Sequence, residues 1–156
     1  MDEKIIHIEW EGPLSKNKVY KRVDVDKDYG IYQIYGRHPA YGKEALLYIG
    51  IAKDRPFGTR IREHDYWLSD IDSGSIKIYL GSLYDEEDKE IEKGREEISL
   101  SEQLLIYVHT PAYNKNFKEK ITDESVKSYH ILNYYEYCDL LPEVSGARWS
   151  DHFGDK

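Results

Sequence analysis

GIYQIYGRHPAYGKEALLYIGI, residues 30–51, decides the fold. Gly30 to Tyr35 is β-branched and aromatic, and Leu46 to Ile51 is an unbroken apolar run of strand length. Between them, Arg37-His38-Pro39-Ala40-Tyr41-Gly42 brings the proline and glycine of a turn, so the stretch predicts an antiparallel hairpin. Upstream, Ile5 to Trp10 alternates weakly and ends in Glu11-Gly12-Pro13, a strand closed by a turn. Downstream, Phe57 to Leu68 predicts a helix and Ser75 to Leu80 a further strand. A long helix is expected from near Ser99 to Val108, stopped at Thr110-Pro111 because proline disfavours helix in the residue before it. Tyr129 to Tyr137 fits either a strand or a short helix. The order predicts a mixed α/β fold of the α+β kind: a small, mainly antiparallel three-stranded central sheet flanked by helices. No repeat, low-complexity tract or linker interrupts residues 1–156, which read as one domain.

Bulk composition narrows the function classes. The chain has 156 residues, 40% hydrophobic and 33% charged, as a globular domain does. No apolar run approaches the roughly 20 residues of a membrane span, and the start, Met1-Asp2-Glu3-Lys4-Ile5-Ile6-His7, has no apolar segment of secretory type. Cys138 stands alone, so there is no intrachain disulfide and no CxxC metal or redox motif. A cytoplasmic location is the resulting expectation. Net charge is −8, which weighs against nucleic-acid binding through phosphate neutralisation. The acidity is local, however: residues 85–97, DEEDKEIEKGREE, carry net −5 and leave −3 elsewhere. By contrast Arg37, Lys43, Lys53, Arg55, Arg60 and Arg62 are offset over their span only by Glu44 and Asp54.

Two helical faces contain residues that a core does not call for. At about 100° per residue, Phe57, Ile61 and Leu68 share an apolar stripe, and Arg60 and His64 lie beside it rather than with Arg62 and Tyr66 on the solvated side. Arg60 and His64 either satisfy themselves locally, by snorkelling and by a backbone carbonyl, or point to a site at the sheet. In the long helix, Glu102 lies amid Ile98, Leu105, Ile106 and His109. An isolated buried carboxylate costs several kcal/mol unless it is paired or holds a metal. Ser99 with Glu102 three residues on also fits a capping box, which would explain the carboxylate locally.

Gly30-Ile31-Tyr32 followed by Tyr48-Ile49-Gly50 resembles the two name-giving strands of the GIY-YIG nuclease superfamily. The order then continues in register through Arg60-Ile61-Arg62-Glu63-His64, the helix with Glu102, and Pro111-Ala112-Tyr113-Asn114. The resemblance covers about residues 29–117, with extensions on both sides. It implies a divalent-metal-dependent DNA endonuclease, a hydrolase of phosphodiester bonds, with RNA an open alternative substrate. Glu102 matches the sole protein ligand of Mg²⁺ or Mn²⁺, a hard oxygen donor that leaves other positions to water and phosphate. Tyr32 and Tyr48 match the paired tyrosines, with Tyr32 the one to position or deprotonate the attacking water. Arg60 would hold a phosphate oxygen, His64 would assist Tyr32 or orient the water, Lys53 would contact phosphate, and Asn114 would be structural or phosphate-contacting. One such site cuts one strand, so a homodimer is implied where both strands are cut. The loop between Gly50 and Arg60 is longer than in many relatives, and no helix-turn-helix, zinc ligands or basic tail is present. The competing reading is a non-catalytic binding or interaction module that keeps the fold, motivated by the net charge.

Overall fold

The computed structural model describes residues 3–119 and 123–149. The hairpin forms as expected. Strand β2 (Gly30–His38) pairs antiparallel with β3 (Gly42–Ala52), Ile31 opposite Ile51 and Tyr32 opposite Gly50. Both motif glycines have steric reasons. Gly30 sits at φ +143°, where a Cβ would lie 2.0 Å from the Gly81 carbonyl oxygen. A Cβ on Gly50 would lie 2.3 Å from the Cζ and hydroxyl of Tyr32, so only glycine there lets the Tyr32 ring lie across β3.

The expected third strand is β4 (Lys77–Tyr84), shifted from Ser75–Leu80 because Ser73–Ser75 forms a 3₁₀ turn. The three-stranded sheet is corrected to six strands. With β1 (Lys4–Leu14), β5 (Tyr129–Tyr135) and β6 (Glu143–Ser145), the order is β3-β2-β4-β1-β5-β6, parallel only between β1 and β5. The reason is burial: Ile6, Ile8 and Trp10 each expose 3% or less and find cover only if β1 covers the edge of β4 and β5 in turn covers β1. Tyr129–Tyr135 is therefore a strand, and the segments outside 29–117 complete the same sheet. Glu143 opens β6, and α5 (Gly146–Trp149) follows; the remainder of the C-terminal segment lies outside the described residues.

After a short α1 (Lys16–Val19), the helices also depart from their expected bounds. Phe57 to Leu68 is two short helices, α2 (Phe57–Arg62) and α3 (Asp65–Leu68), broken at His64, whose backbone sits at φ −89°, ψ 1°. The long helix α3's successor, α4, spans Glu96–His109 and begins before Ser99, ending at a left-handed Thr110 ahead of Pro111. Ser99 is thus inside the helix, which removes the capping-box account of Glu102. One face of the sheet packs Ile31 and Ile49 with Ile98, Leu104 and Leu105 of α4, and the other packs Tyr32, Ile34 and Ile78 with Phe57, Ile61 and Leu68. Each such side chain contributes roughly 1.5–3 kcal/mol on burial. The acidic stretch 85–97 is largely exposed, but Ile91 and Glu97 are buried. No helix among the described residues is long and apolar enough to cross a membrane.

Because β4 approaches Gly30 through its backbone, which cannot swing away, Gly30→Ala should cost about 2–4 kcal/mol from overpacking and strained φ together. Gly94→Ala, with nothing within 4 Å of the added carbon, should change stability by less than about 0.5 kcal/mol. Urea unfolding of the two variants checks this; equal midpoints would contradict the close approach.

Candidate active site

Strand β3 ends the sheet, so its outer backbone groups need partners from elsewhere. The loop after α4 supplies them: the Ala112 and Tyr113 amides donate to the Leu46 and Leu47 carbonyls. The Asn114 side chain then clamps Ile49, accepting from its N–H and donating to its carbonyl, each at 2.9 Å. From the opposite face of the sheet, Arg60 Nε donates to the Ile51 carbonyl at 3.3 Å. The β3 edge is consequently where α2, α3, α4 and the Pro111–Asn114 loop meet. The amide of Asn114 is thus engaged at both ends by the strand edge.

A cleft of about 840 Å³ opens there, and Tyr48, Arg60, His64 and Glu102 all line it. Four of the five expected catalytic residues therefore share one wall system. The fifth, Tyr32, is fully buried behind them, its ring stacked 6.1 Å from that of Tyr48. Burial pushes the Tyr32 phenol well above its ordinary value, opposed by Arg60. The half-buried Tyr48 is raised by burial too, again opposed by Arg60.

Glu102 projects from α4 with no hydrogen bond or ion pair among the described residues. Desolvation pushes its carboxyl up to about 7, with Arg60 and Lys53 pulling the other way. Lys53 donates to Ser99 on the same helix at 3.3 Å, is not among the residues that line the cleft, and acts on Glu102 through its field. Among the described residues no group of three His, Cys, Asp or Glu could hold a metal ion. A half-buried carboxylate with unused lone pairs instead fits a hard cation that takes one protein oxygen and keeps water for the rest.

His64 is the best-determined group. Its Nε2 lies 2.6 Å from the Tyr32 hydroxyl, a contact that the break between α2 and α3 permits. On its other side, Trp67 Nε1 donates to Nδ1 at 3.3 Å. Indole can only donate, so Nδ1 is the acceptor and the neutral ring carries its proton on Nε2. His64 is neutral near pH 7, since burial and Arg60 hold its pKa down at about 4. His64 therefore donates to the Tyr32 oxygen and has no nitrogen open to accept a proton from water. Trp67 carries no signal in the sequence beyond its position three residues after His64. Glu63 was also missed; it pairs with Arg60 at 3.0 Å and Arg55 at 2.7 Å, steadying the guanidinium.

No family model, curated protein or solved structure matches the chain.

A carboxyl titrating higher in the fold than in the free chain favours the protonated folded state. Its stabilising share is complete below the free-carboxyl range near 4.5 and is lost as pH rises through about 7. Glu102→Gln should therefore stabilise the cation-free protein at pH 8 by about 1–3 kcal/mol, at ~1.4 kcal/mol for each pH unit separating the two titrations. The gain should shrink toward pH 5. Chemical unfolding at both pH values tests it, and a pH-independent effect would remove Glu102 from a desolvated site.

Proposed function

We propose that the chain is a divalent-metal-dependent DNA endonuclease of the GIY-YIG type. The observation that carries this is the convergence of Tyr48, Arg60, His64 and Glu102 on one cleft from β3, α2, the α2–α3 break and α4, with Tyr32 bonded behind His64. These are the residues that the ordered resemblance picks out in the sequence. Glu102 would hold Mg²⁺ or Mn²⁺. When bound, the cation supplies Lewis-acid stabilisation of charge on the leaving 3′ oxygen.

The protein's own residues do the rest. Arg60 binds a nonbridging phosphate oxygen and stabilises charge building at phosphorus. Burial favours moving the water-positioning role from Tyr32 to Tyr48, the phenol at the cleft and beside Arg60. The water oxygen bonds to phosphorus and the bond to the 3′ oxygen breaks. The water's proton passes to a Tyr48 phenolate stabilised by Arg60, and the leaving oxygen takes a proton from solvent. His64 is a positioning residue: its Nε2–H holds Tyr32, whose ring stacks against Tyr48. One site cuts one strand, and cutting both requires a second copy or a second encounter.

Purified protein with Mg²⁺ should nick plasmid DNA, and Glu102→Ala or Arg60→Ala should slow nicking by roughly 10²–10³-fold, the scale for loss of one charge-stabilising group. Equal nicking by Glu102→Ala and the parent would discard the assigned ligand. Retained binding with no cleavage of any DNA or RNA form would select the non-catalytic module instead.

Trp67→Phe keeps a ring but loses the N–H that fixes His64. Turnover should fall roughly tenfold to a hundredfold, the usual scale for an orienting partner, with DNA affinity unchanged. Nitrogen-15 NMR of the parent should show His64 protonated on Nε2, and an Nδ1–H form would refute the role given to Trp67.

A further inference from the structure

We propose that the cleft holds one unpaired nucleotide of single-stranded or locally opened DNA, its base stacked against Tyr66 and Tyr113. This deepens, and rests on, the nuclease reading. The space is larger than a phosphate needs: at about 840 Å³ it lies in the range of roughly 300–1,000 Å³ that takes a whole organic ligand. Its lining changes character along its length. Next to His64, the ring of Tyr48 lies 6.0 Å from that of Trp67, and Trp67 meets Tyr113 at 5.2 Å, so an aromatic wall leads away from the reacting groups. Tyr66, on the same cleft, is 80% exposed, an aromatic face with no ring stacked on it among the described residues.

Charge argues against a paired duplex. Asp70, Asp72 and Glu102 line the cleft against Arg37, Arg60 and Lys115, so it offers no continuous cationic track to a phosphate chain. Arg37 is paired with Asp72 at 3.6 Å, and Arg55 with Glu63. B-form DNA presents one charge per about 1.7 Å of axis and hides its base faces in the stack, so it can use neither part of this lining. An unpaired base offers a π face to the tyrosines and exocyclic amines to the aspartates. Only its own phosphate then needs Arg60. A net charge of −8 is compatible with such a substrate, because affinity comes from one stacked base rather than from a row of phosphates.

The test is fluorescence anisotropy with the intact protein, without divalent cation so that nothing is cut. The probes are a short labelled DNA strand, its blunt duplex, and the same strand carrying abasic residues. The single strand should bind at least roughly tenfold tighter than the duplex, a scale typical of base stacking on an aromatic, and the abasic strand should lose that advantage. Tyr66→Ala, at an exposed position that leaves the fold intact, and Tyr113→Leu should each abolish most of the preference. Equal affinity for all three probes, or variants that keep the parent's preference, would overturn the pocket. Glu102-dependent nicking measured alongside separates the two readings: nicking without a strand preference rejects the pocket alone, and a preference without nicking rejects the nuclease but keeps the pocket as a binding site.

Discussion

The open edge of β3 is the constraint from which the site follows. An edge strand leaves a row of backbone groups that must be satisfied, and here Asn114, Ala112, Tyr113 and Arg60 satisfy four residues of it. Those same bonds fix the loop after α4 from one side of the sheet and α2 from the other. Glu102 on α4 and Arg60 on α2 belong to opposite layers, and they meet only because both layers reach round this one strand. Covering an edge and building a site are thus the same structural act. The cost of a long exposed edge is offset by groups, Arg60, Tyr113 and Asn114, that also line the cleft.

Arg60 organises the electrostatics of the result. It lowers the proton affinity of Tyr32, Tyr48, Glu102 and His64 alike, while burial acts to keep every one of these groups uncharged. With its own charge steadied by Glu63, Arg60 is a fixed cation in a region otherwise pressed toward neutrality. A phosphate entering such a cleft would meet the preorganised guanidinium of Arg60 and the phenol of Tyr48, with Tyr32 buried behind it. Glu102 is held in a state that costs stability when charged, and on the proposed reading an arriving cation would relieve that cost.

What the sequence disclosed, and what it hid, divides along sequence distance. The hairpin was legible because its strands, turn and motif glycines are contiguous, and Gly50 is tied to Tyr32 by direct contact across a neighbouring strand. Glu102 was legible as an anomaly, since helical periodicity alone places it among Ile98, Leu105 and Ile106. The six-stranded sheet was not, because β1 meets β5 across more than a hundred residues, and Tyr129 to Tyr135 carries no local signal separating strand from helix. The break at His64 was hidden for a different reason. Periodicity assumes a continuous helix, and the bond to Tyr32 that rewards a kink is a tertiary one. Trp67 escaped because an aromatic beside an apolar stripe reads as core, and its use as a donor depends on which nitrogen it faces.

Net charge misleads about this molecule because it sums over surfaces that do not see one another. Residues 85–97 carry net −5, and the depression they border, lined by Asp85, Glu86, Glu87 and Glu97, shares no residue with the cleft at β3. Glu97 within it is already matched by Arg95 at 2.8 Å and Lys4 at 3.7 Å. At physiological salt, fields between exposed charges decay over about 8 Å. A phosphate at Arg60 would therefore respond to the charges that line the cleft, Arg37, Arg60 and Lys115 against Asp70, Asp72 and Glu102, far more than to the acidic turn. Those nearby charges are nearly balanced, which leaves shape and aromatic surface, rather than coulombic attraction, to decide what the cleft accepts.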